Sequence, residues 1–159
     1  MKISAIILAA GASTRMGGKN KLLLQYNNEP IISHVCRTVL NTRLNPVIVV
    51  TGFENIQVEK ELPREIARIV YNDDWEKGMA SSISAGISAL SEDIQGSMIV
   101  LGDMPLITEK TLDLLIGEFN HHQGGKIVYP LYGNLQANPV IFPRKYFREI
   151  LTANGSRGC

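Results

Sequence analysis

The chain opens on "ISAIIL", residues 3–8, which runs directly into "AAGASTRMGGKNKLLL", residues 9–24. The first stretch is apolar without alternation and predicts a strand that is buried on both faces. The second stretch combines three glycines with Arg15, Lys19 and Lys21. Its spacing matches neither the G-x-G-x-x-G fingerprint nor the P-loop. We therefore interpret it as an anion-binding turn of another kind, the alternative being a surface loop with solvated cations.

The same alternation of apolar runs and helical spacing continues along the chain. Further strands are predicted at residues 46–52, 67–72, 97–103 and 126–130, with another extended piece at 136–142. Helices are predicted at residues 30–42, 54–62, 78–90, 108–119 and 143–151. Short strands that alternate with helices indicate a three-layer α/β fold with a mostly parallel sheet, in one domain over residues 1–159. Ligands of such folds bind beyond the carboxyl ends of the strands.

The composition narrows the classes of partner. The 159 residues carry a net charge of +1, from 16 basic and 15 acidic residues. This balance argues against nucleic acid, which needs a basic patch to neutralise phosphates. The first apolar run is too short to span a membrane, so no membrane partner is expected. Two cysteines, Cys36 and Cys159, make neither a disulfide framework nor a metal knuckle, which predicts a reducing, cytoplasmic setting.

A carboxylate follows the predicted strand at residues 97–103, in "VLGDMP". Asp103 stands where a ligand is expected, and Gly102 before it allows close approach of a backbone or a ligand. A carboxylate in this place is suited to hold Mg²⁺, which prefers oxygen ligands and phosphate partners. The alternative is an aspartate that serves only as a turn or cap residue.

A third polar segment, "YNDDWEKGMASSISAGI", follows the predicted strand at residues 67–72. Gly78 and the residues after it, among them Ser81 and Ser82, open a predicted helix whose N-terminus could meet an anion or a base edge. The alternative is that its small residues, which include Gly86, allow the helix to pack closely on the sheet.

These motifs in this order, together with "NPVIFPRKYF", resemble the MobA-like nucleotidyltransferases over essentially the whole chain. The resemblance is greatest to the branch that contains molybdenum cofactor cytidylyltransferase. It implies a Rossmann-like nucleotidyltransferase fold and Mg²⁺-dependent transfer of a nucleotidyl group from CTP to a phosphomonoester acceptor, molybdopterin, with release of pyrophosphate. The segment "LAAG" is similar to the cytidine-using branch, whereas guanine-using relatives typically read "LAGG".

The resemblance also implies roles for individual residues. On the family's pattern, Leu8, Ala9, Ala10 and Gly11 line the base and ribose, Arg15 and Lys21 hold the phosphates, Asp103 holds Mg²⁺, Ser81 and Ser82 lie by the base, and Asn138 and Pro139 lie near the acceptor. Lys19 could share or take the role of Lys21, because the spacing before "KLLL" is about one residue longer than the family's. Arg15, Lys21 and Asp103 are then the catalytic residues, through placement and charge neutralisation.

The family continues past this chain's last residue with a strand and a helix that carry a second acidic metal ligand. We therefore expect this length of chain to bind nucleotide but to turn over weakly. One alternative keeps the fold and changes the reaction to guanylyl transfer, or the acceptor to a sugar phosphate or phosphorylated alcohol. Another is a non-catalytic protein that handles the molybdenum cofactor. A molybdoenzyme is the protein partner that fits these hypotheses.

Overall fold

The computed structural model describes residues 1–12 and 17–153. The strands are β1 (Ile3–Ala9), β2 (Gln25–Tyr26), β3 (Glu29–Pro30), β4 (Val47–Thr51), β5 (Arg68–Tyr71), β6 (Gly96–Leu101), β7 (Leu131–Tyr132), β8 (Leu135–Gln136) and β9 (Val140–Pro143). The α-helices are α1 (Ile31–Leu40), α2 (Asn55–Glu59), α3 (Met79–Ser88), α4 (Glu109–His121) and α5 (Phe147–Thr152). Short 3₁₀ helices lie at Lys21–Leu23, Trp75–Lys77 and Arg144–Tyr146.

Five strands form the central sheet in the order β5-β4-β1-β6-β9. The first four are parallel to one another, and β9 runs antiparallel to β6. From β1 the chain passes through α1 to β4 on one side, and it later returns through α3 to β6 on the other side. The strand order therefore reverses between β1 and β6, which is where open α/β sheets form a ligand crevice. The predicted mostly parallel α/β fold is confirmed.

Apolar cores lie on both faces of the sheet. On one face Ala5 and Ile7 of β1 belong to a cluster with α1 and α4, and on the other Ile6 packs with α3 and α5. All three side chains are fully buried, as expected for a strand covered on both faces. Gly86 brings α3 close to the sheet, because a Cβ on it would lie 2.6 Å from Ile6 Cγ2. The small residue at this position is thus explained by helix-on-sheet packing.

The strand predicted at residues 126–130 is wrong. In this segment Val128 alone pairs with the sheet, through an isolated antiparallel bridge to Ile141. Its neighbours Ile127 and Tyr129 are exposed. The β-branched composition of this segment is therefore not matched by a partner strand along its length.

The strand β5 is in its predicted place, but it is not buried. Arg68, Ile69 and Tyr71 are exposed, because β5 is an edge strand of the sheet. Two small hairpins, β2–β3 and β7–β8, were not predicted. The first turns through Asn27 and Asn28, which both have positive φ, as a type I′ hairpin turn requires.

The start of α4 is as predicted. The Thr108 side chain accepts a hydrogen bond from Thr111 N at 3.2 Å, so Thr108 is its N-cap. Within residues 1–12 and 17–153, no helix is both long and apolar enough to cross a membrane.

A buried pair of hydroxyl groups links β1 to β6. Ser4 Oγ donates to Ser97 Oγ at 2.8 Å, and both residues are completely buried. Each hydroxyl thus has a partner in an otherwise apolar layer, which avoids the cost of an unpaired polar group.

Burial of Cys36 in α1 makes a prediction about alkaline pH. The side chain is fully buried, and burial raises the pKa of its thiol to about 12. An unfolded cysteine has a pKa of about 8.5, so the folded state keeps a proton that the unfolded state loses. The free energy of unfolding should therefore fall as pH rises above about 8.5, by up to ~1.4 kcal/mol per pH unit. Denaturant melts of the wild type and of Cys36→Ala at pH 8 and pH 10 measure this slope. Equal slopes in the two proteins would contradict the prediction.

Candidate active site

A cleft of about 570 Å³ opens at the point where the strand order reverses. Its walls come from the segments that follow β1 and β6 and from the start of α3. The lining residues are Leu8, Ala9, Ala10, Gly11, Ala12, Lys21, Leu22, Trp75, Gly78, Met79, Ser82, Leu101 and Asp103. The cleft is thus built from segments far apart in sequence.

The cleft gathers most of the residues to which a site role was assigned. Those brought together in its lining are Leu8, Ala9, Ala10, Gly11, Lys21, Ser82 and Asp103. Ser81, Asn138 and Pro139 are not among the lining residues. Arg15 lies outside the described residues. The part that each residue plays stays a prediction.

Glycine at position 102 lets the ends of β1 and β6 meet. Gly102 N donates to Leu8 O at 2.9 Å, and a Cβ on Gly102 would lie only 2.7 Å from that same oxygen. Backbone atoms cannot give way as a flexible side chain can, so a larger residue does not fit without a shift. Asp103, the next residue, lines the same cleft as the residues directly after β1.

Lys21 and Asp103 face each other in the cleft. Lys21 Nζ lies 3.6 Å from Asp103 Oδ2, and the two side chains are 43% and 44% exposed. An ion pair this exposed stabilises a fold by at most about 1 kcal/mol. Its importance is therefore positional, since a cation and a carboxylate stand together where a ligand would enter.

Asn72 ties the end of β5 to the start of α3. Its Nδ2 donates to Ser81 Oγ at 2.9 Å and to Ser82 Oγ at 3.0 Å, and its Oδ1 accepts from Asp74 N at 3.0 Å. Ser81 Oγ also lies 2.7 Å from Gly78 O, to which it can donate. The Ser81 hydroxyl is therefore held in the turn, whereas Ser82 belongs to the cleft lining.

Trp75 forms an apolar wall that was not predicted. Its ring centroid lies 5.5 Å from that of Phe53, and a Cβ on Gly52 would lie 2.6 Å from Trp75 Cβ. With Met79 it gives the cleft a flat, apolar side. One signal was present in the sequence, since the chain's single tryptophan lies shortly after a predicted strand, in the polar segment that begins at Tyr71.

The donor set of the cleft suits a metal that arrives with its substrate. Within the part of the chain that the structure describes, no three His, Cys, Asp or Glu side chains are grouped to hold a metal ion. Among the described residues that line the cleft, Asp103 provides the one carboxylate. Mg²⁺ is commonly held by one or two carboxylates, with water and substrate phosphates as its other ligands. Asp103 fits that pattern and does not by itself make a resident metal site.

The chain matches one family model and is similar to several curated proteins. The sequence model described as "MobA-like NTP transferase domain" matches residues 5–159. A nicotine blue oxidoreductase from Paenarthrobacter nicotinovorans is 30% identical over 87% of this chain and 66% of its own length. A probable molybdenum cofactor guanylyltransferase from Thermococcus sibiricus is 29% identical over 85% of this chain and 65% of its own length.

A solved structure shares the fold. The structure of Rv0371c from Mycobacterium tuberculosis H37Rv in complex with manganese matches with a TM-score of 0.82 at 21% identity, over 98% of this chain and 78% of that one. The curated relatives are longer than this chain, which spans between about a quarter and two thirds of their length.

Proposed function

Because the chain belongs to the family of MobA-like NTP transferase domains, we propose that it transfers a nucleotidyl group from an NTP to a phosphomonoester acceptor. One observation carries the proposal. The residues directly after β1, which include Gly11, converge with Lys21 and Asp103 on one cleft at the strand-order reversal. Backbone N–H groups of a glycine turn and a nearby ammonium suit a polyphosphate. One relative is named an oxidoreductase, so the reaction has to rest on the site rather than on the fold.

The proposed reaction needs little acid–base chemistry from the protein. A phosphomonoester has a second pKa of about 6, so the acceptor is largely dianionic at neutral pH. One of its oxygens forms a bond to the α-phosphorus of the NTP, the bond from that phosphorus to the bridging oxygen breaks, and pyrophosphate leaves. The protein's part is to align the two reactants and to neutralise charge on the leaving group. We propose Lys21, which lines the cleft, and Arg15 as the two cations that neutralise this charge.

Asp103 is the residue that would hold Mg²⁺. The bound ion would supply positive charge beside the phosphates, which a single exposed lysine provides only in part. The related fold of known structure is a complex with manganese, an ion that also takes oxygen ligands.

CTP as the donor and molybdopterin as the acceptor are the finer part of the proposal. CTP is favoured by "LAAG", residues 8–11, which resembles the cytidine-using branch. A molybdenum-related acceptor is supported by the relative named as a molybdenum cofactor guanylyltransferase. A cytoplasmic location and a molybdoenzyme partner belong to the same hypothesis.

Guanylyl transfer is the second candidate, because that relative is named for it. The reaction and the cleft residues stay the same, and the base changes. Another acceptor, or a non-catalytic role in handling the molybdenum cofactor, is distinguished by whether pyrophosphate is released.

Titration of CTP, GTP and ATP into the protein with Mg²⁺ tests the donor. We expect CTP to bind most tightly, and Lys21→Gln to weaken its binding about tenfold, which corresponds to the loss of one charge-assisted contact to phosphate. Lys19→Gln removes the same charge two residues away. Since Lys19 is not among the cleft-lining residues, this variant should weaken CTP binding less.

Each outcome of the titration has a separate meaning. Preference for GTP would overturn the reading of "LAAG" and move the proposal to guanylyl transfer. A larger loss in Lys19→Gln than in Lys21→Gln would exchange the roles of the two lysines. Absence of binding by all three nucleotides would count against a nucleotidyltransferase site in this chain.

A further inference from the structure

Lys21 is the first residue of a very short helical turn, Lys21–Leu23. The residue before it, Asn20, caps this turn, since its Oδ1 accepts a hydrogen bond from Leu22 N at 3.1 Å. Its backbone oxygen also accepts from Leu23 N at 3.1 Å. Three residues of 3₁₀ helix have little stability of their own, so such a turn depends on its cap and on packing.

The Asn20 side chain is buried, yet it is poorly satisfied. Its exposure is 6%, and within the described residues its Nδ2 has no hydrogen-bond partner. A buried donor without a partner costs free energy. The capping bond uses only the oxygen of the amide. Among the described residues, the bond to Leu22 N is therefore what the Asn20 side chain contributes.

The turn Lys21–Leu23 also packs against the segment that carries Asp103. Leu22 is buried, and a Cβ on Gly102 would lie 3.4 Å from Leu22 Cδ2. Gly102 immediately precedes Asp103. Two neighbours therefore restrain the backbone around Lys21. Asn20 before it caps the turn, and Leu22 after it packs near Gly102. These two restraints act on the backbone from which the Lys21 side chain extends, and its ammonium group lies 3.6 Å from Asp103 Oδ2.

We propose that Asn20 is a positioning residue for Lys21, holding the turn so that the lysine faces Asp103 across the cleft. The role of Lys21 in binding phosphate rests on the function proposed above. The placement of Lys21 by Asn20 does not, and it can be measured without a nucleotide.

The test compares two variants. Asn20→Ala removes the capping side chain, whereas Asn20→Ser keeps a capping acceptor in the form of a hydroxyl oxygen. Thr108→Ala is the matched control, because it removes a side-chain cap from α4, which carries no cleft residue. Pulse acetylation of amines, read by mass spectrometry, reports the reactivity of each lysine. We expect Lys21 to react about fivefold faster in Asn20→Ala, the shift in population that loss of a typical cap produces. Lys21 should return to near its wild-type rate in Asn20→Ser and stay at that rate in Thr108→Ala.

CTP affinity is measured on the same variants. Parallel changes in Lys21 labelling and CTP affinity would support both the placement and the phosphate role. Altered labelling with no CTP binding in any protein, the wild type included, would support the placement and count against the proposed function. Unchanged Lys21 labelling in Asn20→Ala, or equal labelling in the Ala and Ser variants, would overturn the inference.

Discussion

Replacing Asp103 by asparagine should lower the rate of pyrophosphate release by about a hundredfold or more, the size of effect seen when one charge-stabilising group is removed from an active site. The amide keeps the shape of the side chain, but it lacks the charge that would hold Mg²⁺ and face Lys21. The fold should survive, because the exposed pair with Lys21 contributes little stability. Release is measured in single-turnover reactions with CTP and an acceptor phosphomonoester.

A second readout makes the Asp103 result independent of turnover. Binding of Mn²⁺ in the presence of a non-hydrolysable CTP analogue should weaken about tenfold or more in the same variant, as loss of a ligand or its close support commonly does. Asp113→Asn is the matched control, since it makes the same charge change on the exposed face of α4. Wild-type Mn²⁺ affinity in Asp103→Asn would exclude this residue as the metal ligand.

Gly102→Ala should destabilise the protein by about 1–3 kcal/mol, the usual cost of overpacking. The added methyl group would stand 2.7 Å from Leu8 O, and relief requires the ends of β1 and β6 to separate. That separation would move Asp103 away from the cleft residues that follow β1, so nucleotide affinity should fall together with stability. Denaturant melts and CTP titration measure the two effects.

Gly117→Ala is the opposite case and serves as the control. Gly117 lies in α4, and among the described residues a Cβ there meets no atom within 4 Å apart from its chain neighbours and the nearby backbone of its own helix. Alanine should therefore stabilise the protein by about 0.5–1 kcal/mol, through the helix propensity alone. CTP affinity should not change. If Gly102→Ala behaved like Gly117→Ala, the close approach of the two strand ends would not be required.

Strands buried on both faces could be read directly from the sequence. β1 and β4 are apolar at nearly every position. β1 extends one residue past its predicted end, and β4 is one residue shorter than predicted at each end. Similar composition led to two wrong predictions, a strand at residues 126–130 and burial of β5. A run of β-branched residues does not reveal whether a neighbouring strand or helix covers it. The antiparallel pairing of β9 depends on contacts with β6, which local sequence does not encode.

Cleft residues that directly follow a strand could be predicted from the sequence. Residues whose position depends on contacts between distant segments could not. Asp103 and Lys21, which line the cleft, could be selected from the sequence because polar residues after buried strands stand out. Trp75 and Asn72 were missed, because their importance comes from a ring packed on Phe53 and an amide that reaches two serines of α3. Asn20 was missed for a related reason, since a capping bond is visible only once the turn is known to form.

The hydroxyl pair of Ser4 and Ser97 bears on how accurately the cleft is assembled. A slip of β6 along β1 by one residue would displace its end by about 3.3 Å and turn its side chains to the opposite face. It would also separate these two hydroxyl groups in an apolar layer, at about 1–3 kcal/mol for each one left unpaired. The hydrogen bond between the two serines, which are 93 residues apart, therefore favours the observed register of β6 on β1. The Ser4–Ser97 contact lies near the ends of β1 and β6 that are away from the cleft. It nevertheless stabilises the register in which Asp103 reaches the cleft.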